Sequence, residues 1–106
     1  MDTQLKKGVL EIAVLASLLK QDSYGYKIIQ DLADIVNVSE STLYPILRRL
    51  EAGGYLEVYS QEHNSRLRKM YHITSQGIEK IKNYLADFKE IISIYEFVKE
   101  GLENEK

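Results

Sequence analysis

The sequence predicts a mostly α-helical fold with one small β-hairpin and a long C-terminal helix. Four segments carry apolar residues at helical spacing, and two short segments alternate in polarity around a polar stretch. The length of 106 residues fits a single compact domain. Hydrophobic residues make up 44% of the chain and charged residues 28%, which is the balance of an ordinary folded protein.

The first predicted helix covers residues 5–20, where apolar residues recur three or four positions apart on one face. Further apolar residues, among them Leu10, Val14 and Leu18, fill much of the remaining circumference. A helix that is apolar nearly all round is expected to be buried on more than one side. Two interpretations follow: this is the central helix of the core, or one of its sides contacts a second chain.

The next two helices are predicted from their start and stop signals. Asp22-Ser23 and Ser39 are residue types that cap helix N termini, and Gly53-Gly54 is typical of a helix end. The third helix has an apolar stripe at Leu43, Ile46, Leu47 and Leu50. A connector of only three to four residues separates the two helices, which is the helix-turn-helix arrangement.

The hairpin and the last helix complete the chain. Residues 55–60 and 69–74 alternate in polarity, and residues 61–67 form a polar stretch with Asn64-Ser65 as a turn signal. Thr74-Ser75 then caps a helix of about 25 residues, and an acidic, frayed end is expected from residue 101. The order predicts a winged helix-turn-helix domain at residues 1–74 and a dimerisation helix at residues 75–106.

The long helix predicts a homodimer. Its apolar stripe follows a spacing close to a heptad repeat, and one small body cannot easily cover so long a stripe. The alternative is a helix folded back on its own domain. The predicted dimer interface consists of Ile78, Ile81, Leu85, Phe88, Ile92, Tyr95 and Val98.

Charge is unevenly distributed along the chain. The net charge of −2 gives no general support to nucleic-acid binding. Residues 41–72, however, contain five basic and three acidic side chains, so positive charge collects on the third helix and the hairpin. Because phosphate contacts dominate affinity for DNA, this local charge matters more than the total. The alternative is a solvated polar face with a solubilising charge cluster.

The candidate DNA contacts combine hydroxyl groups near a helix N terminus with basic side chains, both of which are ordinary partners of phosphates and base edges. Steps of three and four place Ser41, Tyr44 and Arg48 on one face of the third helix. The full set is Ser39, Ser41, Thr42, Tyr44 and Arg48 on the helix, with Arg66, Arg68 and Lys69 on the hairpin.

Other function classes find little support in the sequence. The chain has no cysteine, which excludes thiol catalysis and cysteine-ligated zinc. Its two histidines, His63 and His72, have no neighbouring ligands at metal spacing, and no nucleophile motif or Gly-rich phosphate loop occurs. We therefore expect no enzyme, cofactor or metal. The apolar run Val9–Leu19 is too short to span a membrane, so a soluble cytoplasmic protein is expected.

Three blocks of the sequence resemble the PadR family of bacterial transcriptional regulators. They are Asp22-Ser-Tyr-Gly-Tyr-Lys-Ile-Ile, Ser41-Thr-Leu-Tyr-Pro-Ile-Leu-Arg-Arg-Leu-Glu and Arg68-Lys-Met-Tyr-His-Ile-Thr. The resemblance implies a homodimeric winged-helix repressor whose third helix enters the major groove of double-stranded DNA. It also implies that the wing meets the DNA backbone, and that the last helix forms the dimer together with the first.

The resemblance further implies a ligand pocket, because some members of the family bind flat aromatic compounds between the subunits. The residues of this chain at the corresponding place are Leu5, Val9, Ile12, Leu85, Phe88 and Ile92. The chain departs from the family pattern in its wing, where Asn64-Ser-Arg-Leu-Arg replaces a Gly- and Pro-containing stretch, and at Met70, where an aromatic residue is more usual.

The leading hypothesis is thus a DNA-binding repressor that reads a pseudo-palindromic operator and is released by a planar aromatic ligand or another signal. The alternative hypothesis is a winged-helix module that binds proteins and not DNA, which the acidic isoelectric point of about 5.7 favours.

Overall fold

The computed structural model describes the backbone of residues 3–105 and the side chains of residues 6–105. The chain order is α1 (Thr3–Ala16), α2 (Gly25–Leu32), α3 (Glu40–Ala52), β1 (Leu56–His63), β2 (Arg66–Ile73) and α4 (Ser75–Glu103). The predicted fold class, a winged helix-turn-helix followed by a long helix, is confirmed. Among the described residues, no helix combines the length and the apolar content needed to cross a membrane.

The first two helices are shorter than predicted. α1 ends at Ala16, and the amides of Leu18 and Leu19 form tighter bonds to carbonyls three residues back. α2 begins at Gly25, with Tyr24 at its N-cap, and not at Asp22-Ser23. The reason is tertiary: Ser23 pairs with Tyr71 of β2 through two backbone hydrogen bonds, so it extends the sheet and does not cap the helix.

The third helix begins where the sequence predicts. Ser39 is its N-cap, and the Ser39 hydroxyl accepts a hydrogen bond from the amide of Thr42 at 3.3 Å. Gly53 closes the helix at its other end, with its amide bonded to the carbonyl of Arg49. Leu43, Ile46, Leu47 and Leu50 are buried, so the predicted apolar stripe holds α3 against the core.

The hairpin is longer and its loop shorter than predicted. β1 and β2 pair antiparallel from Leu56↔Ile73 to His63↔Arg66, so most of the expected loop at residues 61–67 lies in the strands. The turn consists of Asn64 and Ser65, whose φ angles are 50° and 65°. Two consecutive residues with positive φ match the twist of a tight hairpin, and asparagine tolerates this conformation.

The last helix is continuous over 29 residues. Thr74 caps it as predicted, since the Thr74 hydroxyl accepts from the amide of Gly77 at 3.1 Å. The expected frayed end from residue 101 is wrong: Gly101 lies inside the helix, and Asn104 still bonds to the carbonyl of Glu100. A single glycine costs a helix only about 1 kcal/mol, which is too little to end it.

The core gathers apolar side chains from every element. α1 lies at its centre, with Val14 and Leu15 fully buried, as expected of a central core helix. Contact of another side of α1 with a second chain stays a prediction. Ile81 of α4 is only 8% exposed and belongs to the same cluster. Beyond the core α4 projects as a rod: the molecule measures 66 × 26 × 22 Å, and its radius of gyration of 16.9 Å exceeds the roughly 13 Å of a compact chain this long.

Candidate nucleic-acid interface

The solvent-facing side of α3 carries the first part of the candidate interface. Successive helix residues are about 100° apart, which places Ser41, Pro45 and Arg48 opposite the buried stripe. Ser41 and Arg48 are both exposed. Because the buried leucines anchor the other side, the fold holds these two side chains outward on a rigid element.

A small network of hydroxyl groups lies at the N terminus of α3. The Ser39 hydroxyl lies 3.0 Å from that of Ser41 and donates to that of Thr42 at 3.1 Å. Since Ser39 also caps the helix, its side chain is committed to the fold. Ser41 and Thr42 are exposed and stand at the positive end of the helix dipole, where an anion is stabilised.

Tyr44 is positioned differently from Ser41 and Arg48. It is half-buried and packs against the core, and its hydroxyl lies against Gly25, where a Cβ atom would collide with it. This contact explains a glycine in the first turn of α2. Tyr44 therefore joins α3 to α2. The sequence spacing predicts that Tyr44 shares the outer face with Ser41 and Arg48, but its side chain is less exposed than theirs.

The hairpin divides its basic residues between two faces, because successive strand residues point to opposite sides. Lys69 shares a face with the buried Tyr71, whereas Arg66 and Arg68 are on the other face. The guanidinium carbon of Arg68 lies 3.8 Å from the centre of the Tyr24 ring, which is a cation–π contact. Arg68 is thus held beside the N terminus of α2. Arg68 and Lys69, which are adjacent in sequence, do not form one contiguous arm.

The junction between α3 and the hairpin is built on Tyr71. Burial raises the pKa of the Tyr71 phenol, and the neighbouring Tyr44 and Glu51 raise it further, while Arg48 lowers it. Tyr71 belongs to the same buried cluster as the apolar stripe of α3. The core-side face of the hairpin therefore adjoins α3, and Lys69 lies on this same face.

A hydrogen-bonded cluster on the outer face of the hairpin was not foreseen from the sequence. The Asp22 carboxylate accepts from the Tyr59 hydroxyl at 2.5 Å and bonds to Nδ1 of His72 at 2.7 Å. These two bonds lower the pKa of Asp22, and the bond to Asp22 raises the pKa of Tyr59. The residue type of Asp22 predicts a helix cap, but its side chain instead ties the segment before α2 to both strands.

The predicted dimer residues fall into three groups by burial. Ile81 is buried in the core of its own chain, where α1 covers the first part of α4. The prediction that Ile81 belongs to the dimer interface is therefore wrong. Phe88 is half-buried and packs edge-on against Tyr84, with ring centres 4.8 Å apart. The remaining predicted side chains are exposed to solvent: Ile78, Leu85, Ile92, Tyr95 and Val98.

The residues assigned to a ligand pocket are not all available for one. Ile12 is 7% exposed and belongs to the core, which contradicts its placement in an open pocket. The helices α1 and α4 approach closely at this point, since the Tyr84 hydroxyl lies against Gly8. Val9 and Phe88 are half-buried, and Leu85 and Ile92 are exposed. The side chain of Leu5 lies outside the described residues.

Within the part of the chain whose side chains are described, no group of three or more acidic, histidine or cysteine residues is arranged to hold a metal ion. The arrangement is one of exposed hydroxyl and basic side chains on rigid elements, which suits recognition of a polyanion.

Comparison with known proteins identifies the class to which this fold and surface belong. A model of the PadR-like family of transcriptional regulators matches residues 14–83. The chain belongs to this family, as its motifs indicate.

Individual relatives agree with this assignment. A Lysinibacillus sphaericus protein described only as uncharacterized is 32% identical over 102 residues, which covers 92% of this chain and 94% of the relative. The crystal structure of a PadR family transcriptional regulator from Eggerthella lenta has a TM-score of 0.78 and 31% identity, covering 96% and 88% of the two chains. Bacillus subtilis PadR, solved in complex with operator DNA, has a TM-score of 0.68 and 26% identity, covering 73% of this chain and 46% of PadR.

Proposed function

We propose that this protein is a homodimeric repressor that binds double-stranded operator DNA in the cytoplasm. The observation that carries the proposal is the joint presentation of Ser41 and Arg48 on the outer face of α3, beside a hairpin that bears Arg66, Arg68 and Lys69. A major groove admits a helix of this kind, and hydroxyl and guanidinium groups read base edges or hold phosphates. The operator complex of Bacillus subtilis PadR supports the same use of this fold.

The residues take distinct roles in this proposal. Arg48 reads bases from the centre of α3, with Ser41 and Thr42 near its N terminus. Arg66 and Lys69 hold the backbone from the two faces of the hairpin. Arg68 and Tyr44 position these elements, through the contacts with Tyr24 and Gly25, as well as lying near the DNA.

The dimer is proposed to form through residues 75–106, while residues 1–74 carry the DNA-binding domain. Support comes from the exposed apolar side chains of α4, which extend far beyond the body of the chain. Two α3 helices related by a twofold axis would contact half-sites about 34 Å apart, or a multiple of this. The operator is then a pseudo-palindrome.

Ligand release is proposed at the same dimer interface. Val9, Leu85, Phe88 and Ile92 are the members of the predicted pocket that the core leaves partly or fully exposed. A planar aromatic compound enclosed there would act by favouring one dimer geometry over another. Titration of a panel of such compounds, followed by tyrosine fluorescence and by DNA affinity, tests this role; no response across the panel would leave a repressor without this class of inducer.

The test of the main proposal begins with sequencing of genomic DNA retained by the purified protein. Arg48→Ala is expected to weaken binding to the recovered operator by about 10- to 100-fold, with a smaller effect on unrelated DNA. Arg66→Ala should weaken binding to both kinds of DNA by similar factors. Lys20→Ala, which removes an exposed charge beyond α1, is the matched control and should change neither.

Two results would overturn the proposal. Failure to enrich any genomic fragment would favour the alternative, a protein-interaction module. Unchanged operator binding by Arg48→Ala would show that the outer face of α3 does not read DNA.

A further inference from the structure

A groove lies between the N-terminal part of α1 and the side of α3 that faces away from the hairpin. Its volume is about 350 Å³. Both helices contribute to its walls, and the lining side chains are Lys6, Lys7 and Leu10 from α1, with Ser41, Thr42, Pro45, Ile46 and Arg49 from α3.

The charge of this groove is positive. Three of its lining side chains are basic and none is acidic. Oε1 of Glu11 lies 3.5 Å from Nε of Arg49, so Arg49 is partly neutralised. Lys6 and Lys7 are exposed. Glu40, the acidic residue of the first turn of α3, lies about 160° around that helix from Thr42 and so does not face the groove.

The groove flanks the proposed reading face of α3 on one side, and the hairpin flanks it on the other. Thr42 and Arg49 lie within about 20° of each other on the α1 side, whereas Tyr44 lies about 160° from Thr42, toward α2. Ser41 and Arg48 are on the face between these sides. Basic side chains therefore occur on both flanks of α3.

This placement matches the shape of duplex DNA. A major groove is about 12 Å wide, and a helix with its side chains is about 10–12 Å across, so an inserted helix has a row of phosphates on each side. The hairpin can meet only one of these rows. We propose that Lys6 and Lys7 contact the second row of phosphates, so that α1 and the hairpin hold the DNA backbone on opposite sides of α3.

This inference rests on the proposed DNA binding and adds two backbone contacts that the helix-turn-helix motif does not include. Because such contacts are independent of sequence, they would contribute to affinity and to its salt dependence but not to the choice of operator. Arg49 is left to a supporting role, since its guanidinium is already paired with Glu11.

The test compares two double variants of equal net charge. Lys6→Gln/Lys7→Gln removes the proposed contacts, whereas Lys20→Gln/Lys82→Gln removes two exposed lysines elsewhere on the chain. Affinity for a mixed-sequence duplex of about 30 base pairs, roughly three helical turns, is measured by fluorescence anisotropy at several salt concentrations between about 50 and 200 mM.

The measured quantity is the slope of the logarithm of the binding constant against the logarithm of the salt concentration. Its magnitude should fall by about 0.9 for each lysine removed, which is roughly 2 per bound protomer and 4 per bound dimer. The control variant should keep the slope of the unmodified protein. Lys6→Arg/Lys7→Arg should also keep it, because arginine preserves the charge. Circular dichroism checks that α1 remains helical. We expect that it does, because glutamine and arginine both have high helix propensity.

The outcomes separate this inference from the proposed function. If the unmodified protein binds DNA and Lys6→Gln/Lys7→Gln has an unchanged slope, the α1 contact is wrong and the repressor proposal stands. If the unmodified protein binds neither the mixed-sequence duplex nor any genomic fragment, the DNA-binding proposal itself is overturned.

Discussion

The winged-helix body and the distal half of α4 use the same kinds of residues in opposite ways. In the body, leucine and isoleucine side chains from α1, α2 and α3 bury one another. From residue 89 to residue 105, every residue is exposed, although this segment is also rich in isoleucine and aromatic residues. Composition alone therefore does not determine burial, because an apolar face is covered only where the topology brings another element to it.

The exposed part of α4 is therefore an apolar surface that the described elements of the chain leave uncovered. Leu85, Ile92, Tyr95 and Val98 are each more than half exposed, and Ile94, Phe97 and Leu102 widen the same apolar region. A continuous apolar surface of this kind on a small protein marks an interaction site. The body buries its apolar side chains in its own core, whereas the exposed part of α4 is the surface assigned to the proposed dimer.

The largest expected effect is on the body. Leu47→Ala would remove a fully buried side chain from the middle of α3, at a cost of about 2–5 kcal/mol in the free energy of unfolding. Leu67→Ala, on the exposed arm of the hairpin, is the control and should change stability by less than about 0.5 kcal/mol. Urea denaturation followed by circular dichroism measures both. Similar losses in the two variants would contradict the assigned core.

A change in the rod should affect assembly and leave the body folded. Ile92→Asp would place an unpaired charge in the proposed dimer interface, and the dissociation constant of the dimer should rise by at least about 100-fold because burying such a charge costs several kcal/mol. Sedimentation equilibrium measures the molecular mass of the protein in solution. Ile35→Asp changes the same residue type at a more exposed position on the body and should leave the mass unchanged. A monomeric wild-type protein would refute the interface.

The junction between the two regions is held by Thr74. Its hydroxyl caps α4 through the amide of Gly77 and donates to the carbonyl of Gly54 at 2.7 Å. Thr74→Ala should therefore lower the free energy of unfolding by about 1 kcal/mol. Ser75→Ala, one residue further and exposed, should be close to neutral. Equal thermal unfolding of both variants would show that the cap does not stabilise the start of the rod.

The smallest effect concerns the acid stability of the body. Because hydrogen bonds from Tyr59 and His72 lower the pKa of Asp22 below its ordinary 3.8, the folded state favours the carboxylate. The resulting stabilisation is present above pH 4 or so and is lost as the pH falls through the lowered pKa. Asp22→Asn should flatten stability over this acidic range. In an NMR titration, Tyr59→Phe should raise the Asp22 pKa toward its ordinary value; an unchanged pKa would contradict the cluster.

Local sequence signals predicted much of the fold. Ser39 and Thr74 cap α3 and α4 as expected, because capping depends on a side chain and an amide only three residues apart. The apolar stripe of α3 and the turn at Asn64-Ser65 were likewise predicted, since both follow from helix periodicity and from residues that tolerate positive φ. These features need no information from distant parts of the chain.

The candidate site was only partly predictable, because its geometry depends on contacts between residues that are far apart in the sequence. Alternation along β2 is visible in the sequence, yet the contact that holds Arg68 on Tyr24 joins residues 44 positions apart. The Asp22 cluster joins three segments, and the Lys6–Lys7 groove exists only because α1 lies against α3. No local pattern indicates which of these elements meet.

Local sequence patterns therefore predicted the order of the helices and strands, the caps of α3 and α4, the hairpin turn and the family of the chain, because each depends on neighbouring residues or on a short motif. Only the packing of the whole chain shows that Ile12 and Ile81 belong to the core, that Ser23 joins the sheet, and that α4 is exposed from residue 89 onward. Burial is a property of the segments that surround a residue, and their arrangement is settled only when the whole chain has packed.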